Sequence, residues 1–401
     1  MFYETDNPQI VITVSPGSER LGYVVIDSTV GGRSCGGLRM LPDIDEQEMR
    51  GLARAMTLKY GFLGLPQGGA KAGVLGDPEA AESVRHERLA VFAKAIAPLL
   101  CNRIYIPNSD MGTNNNDIRS MLKAVGIQVK KRELRSTLSG YYTALTVFIA
   151  AKEAMSHLNL NLSGRSVAIE GFGKVGSALA NLVDNTQALI VAISTSRGAI
   201  YNPKGLDVKR LNQLASLHGS SVINTYTNAE HINHEELLEL PVDLLCPCAR
   251  HDSVHIGNAS RIKARVISPG ANNPITHEAE QILIEQGLLC MPDFVTNSGG
   301  VLGGTMEFAS LNKQQITKFL ESYFTKRVSW LLDEAARKHV SPRDIAVPLA
   351  LERFSKICSN AADPSLLDKL FSLGLEFHRR GWIPGSLVAP LSLPYFKRAL
   401  A

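Results

Sequence analysis

One stretch restricts the fold more than any other. Residues 166–176 read SVAIEGFGKVG: five residues suited to a buried strand run directly into a glycine-rich turn, and the helical pattern SALANLVD follows. In that context each glycine has its own reason. Gly171 permits a tight turn, and Gly173 lets backbone amides approach a pyrophosphate. Gly176 lets the helix lie close on the strand, and the helix N-terminus receives negative charge. A helix over about 141–157 leads into this strand through Leu162-Ser163-Gly164, and the apolar strand ALIVAIS follows. VDLLCPC and ARVISPG are further strand candidates, each with a helix after it, so the spacing predicts a parallel, doubly wound sheet.

The strand after the loop should end in an acid about twenty residues on, to hold the ribose 2′-hydroxyl of NAD. Ile193-Ser194-Thr195-Ser196-Arg197 stands there instead. The hydroxyls of Thr195 and Ser196 with Arg197 suit the 2′-phosphate of NADP; as a solvated loop, the same residues would touch no nucleotide. NAD and NADP both remain coenzyme candidates, with a lean toward NADP.

A chain of 401 residues suits two domains rather than one core. The other half has its own α/β pattern. Strands are expected in QIVITVS and LGYVVIDSTV, and helices from Asp45 to about Leu63 and over 79–100 and 114–126. From Gln314 the pattern is helical, and nothing firm is read after Ala361. The fold class is therefore α/β: an N-terminal α/β unit over 1–135, a Rossmann-type dinucleotide-binding domain over 136–345, and a C-terminal helical segment and tail over 346–401.

Charge excludes some functions. The net charge of +4 is weak for this length, and Lys130-Lys131-Arg132 is diluted by Glu133 and lacks interleaved aromatics, so a solvated helix face is expected and no nucleic acid. No apolar run reaches the ~18 residues that cross a bilayer, and the start MFYETDNPQI has no basic region before an apolar one, so a cytoplasmic protein without membrane contact is expected. Cysteines 35, 101, 246, 248, 290 and 358 include one C-x-C pair, with His251 and His255 after it. One such pair in the apolar context LLCPCA indicates buried, reduced thiols rather than a metal site.

Between Arg54 and Asp77 the only charged residues are Lys59 and Lys71, in the apolar, glycine-rich segment AMTLKYGFLGLPQGGAKAGVLG. Burial and a second nearby cation both lower a lysine pKa toward the range of a general base, and Gly68 and Gly69 open the backbone beside Lys71.

These residues carry a resemblance. From about Gly22 to Arg353 the chain resembles the glutamate/leucine/phenylalanine/valine dehydrogenase family, on GGLRM, MTLKY, LPQGGAKAG, NSDMGT, GYYTALTV, GFGKVG, PGANNPIT and PDFVTNSGGV taken in order. The resemblance implies NAD(P)-dependent, reversible oxidative deamination of an L-amino acid to the 2-oxo acid and ammonia. It implies that Lys59 binds the substrate carboxylate, that Lys71 is the catalytic lysine, and that Asp110 exchanges protons with the amino nitrogen. Thr143 and Asn272 would lie near nicotinamide and substrate, with Gly37, Asn297 and Val301 along the substrate. The loop residues Gly171, Phe172, Gly173, Lys174, Val175 and Gly176 would hold the coenzyme together with Thr195, Ser196, Arg197, Cys248 and Ala249. It further implies a substrate and oligomerisation role for the N-terminal domain, closure of the two domains on substrate, and a homo-oligomer, usually a hexamer or octamer.

Departures from the family pattern bear on the substrate. Glutamate-using members carry a lysine directly before GGLR and a serine shortly after AGGV; here these are Cys35 and Gly304. A substrate carboxylate buried without a partner costs several kcal/mol. An apolar substrate, leucine-, valine- or phenylalanine-like, is therefore expected, nearer the leucine-type members. Ala72 agrees with that, whereas Thr146 and Thr195 stand where glycine and an acid are common. The alternatives are a glutamate dehydrogenase using Arg33, or a non-catalytic nucleotide-sensing regulatory protein.

Overall fold

The computed structural model describes residues 8–129, 138–364 and 366–400. The stretch Lys130-Lys131-Arg132 lies outside them. The chain divides into two compact units, Met1–Arg135 with Leu349–Leu391, and Ser136–Pro348 with Ser392–Ala401. The residues after 345 thus divide between the units.

The first unit is built on a mixed sheet of β1 (Ile10–Val14), β2 (Gly22–Ile26), β3 (Ser34–Leu41), β4 (Gly68–Leu75) and β5 (Tyr105–Ser109), in the order β1-β2-β4-β3-β5. β3 runs parallel to β4 and β5, while β2 is antiparallel to β1 and β4. β1 and β2 fall within the two expected strand segments, QIVITVS and LGYVVIDSTV. β3 and β4 are GGLRM and GGAKAG, glycine-rich sequences with no local strand signal, because glycine packs no side chain on a pleated surface. A close approach explains them: a Cβ on Gly36 would stand 1.6 Å from the carbonyl oxygen of Ala70.

Alternation then sorts the side chains. Leu38, Met40, Ala70, Ala72 and Val74 join Val24, Ile26, Leu89, Phe92, Ile118 and Met121 in one core. The opposite face carries Tyr23 and Val25 against Ile44, Met49, Leu52 and Ala53. That second face is covered by the helix Glu46–Leu63, opened by Asp45, whose side chain accepts from the Glu48 amide, and closed by Gly64 at φ 67°. The odd-numbered residues of β3 and β4, including Cys35, Gly37, Arg39 and Lys71, belong to this face.

The second unit holds β6 (Ser166–Glu170), β7 (Leu189–Thr195), β8 (Gly198–Tyr201), β9 (Glu230–Ile232), β10 (Leu244–Pro247), β11 (Val266–Ile267) and β12 (Leu289–Cys290), in the order β12-β11-β10-β6-β7-β8-β9. From β12 to β7 the neighbours are parallel, and the order reverses between β6 and β10, where open α/β sheets bind ligands. The expected Rossmann-type, doubly wound domain is present, with one difference at its edge. Only Ser196 and Arg197 connect β7 to β8, too short for a helical crossover, so β8 turns back antiparallel and β9 pairs with it. The helix Lys174–Asp184 buries Leu179, Ala180 and Val183.

The helical region after Gln314 runs as Lys313–Phe319, a π-helical turn Leu320–Phe324, and Thr325–Lys338. Three more helices follow: Pro342–Ala362, Leu366–Arg380 and Gly385–Leu400. Among the described residues no helix is long and apolar enough to cross a membrane.

Gly36→Ala should force β3 and β4 apart and cost about 1–3 kcal/mol or more. Gly173→Ala, where a Cβ meets nothing within 4 Å, should leave the melting temperature nearly unchanged. Thermal melts of both variants read the difference, and equal melting temperatures would contradict the close-approach account of β3 and β4.

Candidate active site

In the first unit a compact group of charges forms on the face beneath the helix Glu46–Leu63. Lys71 Nζ lies 2.5 Å from Asp110 Oδ2, and Arg39 Nε donates to the same oxygen at 3.0 Å. Arg39 also pairs with Glu48, brought in from the first turn of the helix. Lys71 is 2% exposed, whereas the Asp110 side chain keeps 22% of its surface accessible. Asp110 is fixed through its backbone: its amide donates to Thr113 Oγ1, whose hydroxyl donates to the Leu38 carbonyl. Gly37 makes the room, since a Cβ there would fall 2.7 Å from Asp110 Cβ and 3.2 Å from Lys71 Nζ.

Burial pushes the Lys71 ammonium below the ordinary lysine value, with Asp110 opposing that shift and the Arg39 guanidinium adding to it. For Asp110 burial works toward protonation, but Lys71 and Arg39 overcome it and hold the carboxyl far below the usual range. The result is an ionised carboxylate beside a lysine that gives up its proton more readily than usual. Such a pair can take a proton from an ammonium or a water and pass it on.

Lys59, on the same helix, is also buried. Cys35 is buried, its Sγ accepts from Asn108 Nδ2 at 3.0 Å, and its other hydrogen-bond partners are the Tyr60 hydroxyl and the Gly36 backbone. Burial pushes the Cys35 thiol up and raises Tyr60 and Tyr105 well above the ordinary phenol value. Cys35, Tyr60 and Tyr105 are therefore neutral, and the charge of Asp110 adds to the rise of Tyr105. Arg33 is exposed, and its backbone is paired with Val30.

In the second unit the three loop glycines meet three different neighbours. Gly171 has φ 90°, and a Cβ on it would stand 2.9 Å from Ala249. A Cβ on Gly176 would stand 1.9 Å from the Gly171 carbonyl oxygen, while Gly173 faces open space. No side chain caps the helix that begins at Lys174, so its first amides are left for an anion. This loop fits a dinucleotide pyrophosphate. Ser194 holds the loop from β7, its hydroxyl accepting from the Gly171 amide at 2.9 Å and its carbonyl from the Phe172 amide at 2.6 Å. Val175 lies by Gly270, and a Cβ on Gly270 would stand 2.5 Å from Cys248 Sγ.

The end of β7 differs from a ribose-binding acid in its bonding as well as its composition. Thr195 Oγ1 donates to the Ser220 carbonyl at 2.7 Å and accepts from the Arg197 amide, while His234 Nε2 lies 2.6 Å from the Thr195 carbonyl. Lys174, Ser196 and Arg197 are exposed. Asn297 Nδ2 donates to the Ala271 carbonyl and to Asn272 Oδ1, tying those two residues together. Thr143 lies against Gly300, its hydroxyl 2.5 Å from where a Cβ would be. Val301 and Gly304 occupy one half-buried side of the helix Gly299–Phe308.

Some residues escaped the sequence. Arg39 stood inside GGLRM, yet its partnership with Asp110 depends on the register between β3 and β5. Glu48 read only as a first-turn helix acid. Thr146, unusual for its position, joins two helices distant in sequence, its Oγ1 accepting from the Gly299 amide at 3.0 Å.

A glycine-rich loop at the switch point of a Rossmann-type sheet and a buried lysine–carboxylate pair define a dehydrogenase-like α/β protein. Residues 15–126 match the Glu/Leu/Phe/Val dehydrogenase dimerisation domain, and residues 136–360 match the Glutamate/Leucine/Phenylalanine/Valine dehydrogenase family. The chain belongs to this amino-acid dehydrogenase family. It is 34% identical over 351 residues to a glutamate dehydrogenase of Thermotoga maritima, covering 83% of this chain and 84% of that one. It is 34% identical over 304 residues to an NAD-specific glutamate dehydrogenase of Staphylococcus aureus, covering 73% of each. The hetero-hexameric glutamate dehydrogenase of Thermus thermophilus has the same fold, with TM-score 0.75 at 24% identity over 87% of this chain and 89% of that one. Both curated relatives are named glutamate dehydrogenases, so they lend no support to the expected nearness to leucine-type members.

The charge cluster has a pH signature. Asp110 is depressed in the folded state, so the stability it contributes is present above the unfolded carboxylate value and lost as pH falls below it. Urea titrations of the wild type should show that loss setting in below about pH 5 and deepening with further acidification, and Asp110→Asn should lack that component. Parallel curves for the two proteins would contradict the assignment.

Proposed function

We propose that this chain is an active, NAD(P)-dependent L-amino-acid dehydrogenase whose substrate carries an apolar side chain, leucine-, valine- or phenylalanine-like. The observation that carries the catalytic part is the Lys71–Asp110 contact, retained with Arg39 behind it. A nucleotide-sensing protein without turnover has no need of such a pair, which counts against the regulatory reading.

In this reading Lys59 holds the substrate α-carboxylate. Asp110 accepts a proton from the substrate ammonium, leaving a free amine. A nicotinamide coenzyme, when bound at the glycine loop, would supply the oxidising power as a hydride acceptor. Lys71, in its neutral form, then removes a proton from the water that adds to the substrate imine, and Asp110 returns a proton to the departing ammonia. In the first unit Gly37 serves the substrate; in the second, Asn297, Val301 and Gly304 serve the substrate and Thr143 and Asn272 the nicotinamide end. Phe172, Lys174 and Val175 accompany the loop glycines at the pyrophosphate, and Cys248 and Ala249 border it.

The neutral partners of Cys35, Asn108 and Tyr60, support the apolar side chain, because a glutamate carboxylate would meet a thiol at position 35 in place of a cation. A second reading, glutamate dehydrogenase, rests on the names of the relatives at 34% identity. Arg33, the cation that reading calls on, is exposed at the start of β3. The exposed Ser196–Arg197 turn suits a 2′-phosphate, whereas one relative is named NAD-specific, so the coenzyme is taken as NAD or NADP. The match of residues 15–126 to a dimerisation domain supports a homo-oligomer.

Nicotinamide absorbance with a panel of L-amino acids, each with NAD and with NADP, tests the proposal. An apolar amino acid should turn over faster than glutamate, and Lys71→Ala should lower kcat/KM by about 10²- to 10⁴-fold. Because neutral Lys71 is the base, the rate should rise with pH through an inflection below 10.5. Preferred turnover of glutamate would overturn the apolar assignment alone; absence of turnover with every amino acid would overturn the enzyme.

A further inference from the structure

Glu170 is the last residue of β6, immediately before the glycine loop, and it is 5% exposed. Its carboxylate accepts from Ser253 Oγ at 3.0 Å and from the Ala249 amide, both neutral donors. Its carbonyl accepts from the Cys248 amide at 2.7 Å, so backbone and side chain both bind the segment after β10. That segment also closes on the loop itself, because Ala249 fills the space that a Cβ on Gly171 would need. Among the described residues no lysine or arginine pairs with Glu170. The ionisable group beside it is the Cys248 thiol, which burial holds protonated. Arg250, His251 and Asp252 lie on the same segment, and Lys174, at the far end of the loop, is exposed.

A carboxyl group so placed has an unusual relation to a nucleotide. The amides of the loop receive the pyrophosphate, which carries two negative charges, and Glu170 directly precedes them, walled from water by residues 248–253. An ionised carboxylate there opposes the ligand; a protonated one does not. We propose that Glu170 is a proton-binding residue of the dinucleotide site: coenzyme binds with uptake of a proton on its carboxyl group, and loss of that proton weakens binding. The inference rests on the reading of the second unit as a coenzyme domain, not on the identity of the amino acid.

The free protein is poised for this. Burial pushes the Glu170 carboxyl up to about 7, against the opposing bonds from Ser253 and Ala249. An added anion raises it further, so by linkage the affinity falls as pH rises through that region. A further rise of one unit corresponds to about a tenfold change in Kd between the protonated and ionised forms.

The experiment is titration of the full-length protein with NADH and with NADPH between pH 6.5 and 8.5, followed by nucleotide fluorescence. Calorimetry in two buffers of different ionisation enthalpy counts the protons. For wild type, Kd should rise severalfold toward tenfold across the range, with proton uptake near pH 7.5. Glu170→Gln, whose amide oxygen can accept from the Ala249 amide while its NH2 donates to Ser253 Oγ, should bind with a nearly flat profile and without uptake. His251→Gln, the control for the imidazole on the same segment, should keep the wild-type slope. A flat wild-type profile overturns the proposal, as does a Glu170→Gln variant that retains the slope. Should Glu170→Gln fail to fold, as judged by its melt, wild-type proton uptake that is absent, or that vanishes in His251→Gln, overturns it equally. If neither coenzyme binds wild type at any pH, the coenzyme reading itself fails, an outcome distinct from tight binding without pH dependence.

Discussion

The contact between Lys71 and Asp110 sets conditions that the rest of the first unit has to meet. A lysine buried to 2% exposure costs several kcal/mol unless a charge of opposite sign meets it. Asp110 meets it at 2.5 Å, but Asp110 also takes Arg39, and a second buried cation needs a second anion. Glu48 provides that anion from the helix that covers this face of the sheet. The four groups balance, two of each sign. Their packing dictates glycine at position 37 and requires β3 and β4 to lie close enough for the side chains to meet. The helix Glu46–Leu63 therefore does more than bury apolar surface. Its register has to bring Glu48 over Arg39, and the Asp45 cap on the Glu48 amide fixes where that register begins.

This arrangement also explains why the lysine differs from an ordinary surface ammonium. Desolvation and the Arg39 charge both favour losing its proton, and Asp110 limits how far the shift goes. A lone buried lysine would be neutral but unanchored; a lysine with a single unshared carboxylate would hold its proton tightly. Sharing Asp110 between two cations gives the intermediate condition, in which Lys71 is oriented yet able to act as a base. In the second unit the same physics appears with the opposite sign. Glu170 is a buried acid given hydrogen bonds but no cation, and its proton is correspondingly easy to keep.

The legible parts of this fold were those whose physics is local. The strand, glycine loop and helix at residues 166–184 declare themselves because tight turn, phosphate approach and close packing each demand glycine at a fixed spacing. The helix Glu46–Leu63 is legible from the Pro42-Asp43 opening before it and the acids of its first turn. β3 and β4 were not legible as strands, since what makes them strands is a neighbouring backbone close enough to exclude a Cβ at Gly36. The same holds for Arg39 and Glu48, whose partners lie 71 and 9 residues away and are chosen by register. β8 and β9 are four and three residues long, too short to show a period. Burial of the two lysines was legible, because nothing else charged occurs near them in sequence.

Family membership and substrate choice depend on different residues. Family membership rests on identity of 34% spread over 351 positions, so many residues contribute to it at once. The side-chain end of an amino-acid site depends on very few. A carboxylate there needs a cation, and in the proposed reading the position that faces it is Cys35, a thiol bonded to Tyr60 and Asn108. Exchanging a cation for a thiol removes a charge pair from a desolvated site, a far larger effect than a methylene in an apolar pocket, which is worth about 1–3 kcal/mol. One such position can therefore separate a protein from relatives whose chemistry it otherwise shares, which is why 34% identity to glutamate dehydrogenases and a thiol at position 35 favour different substrate side chains.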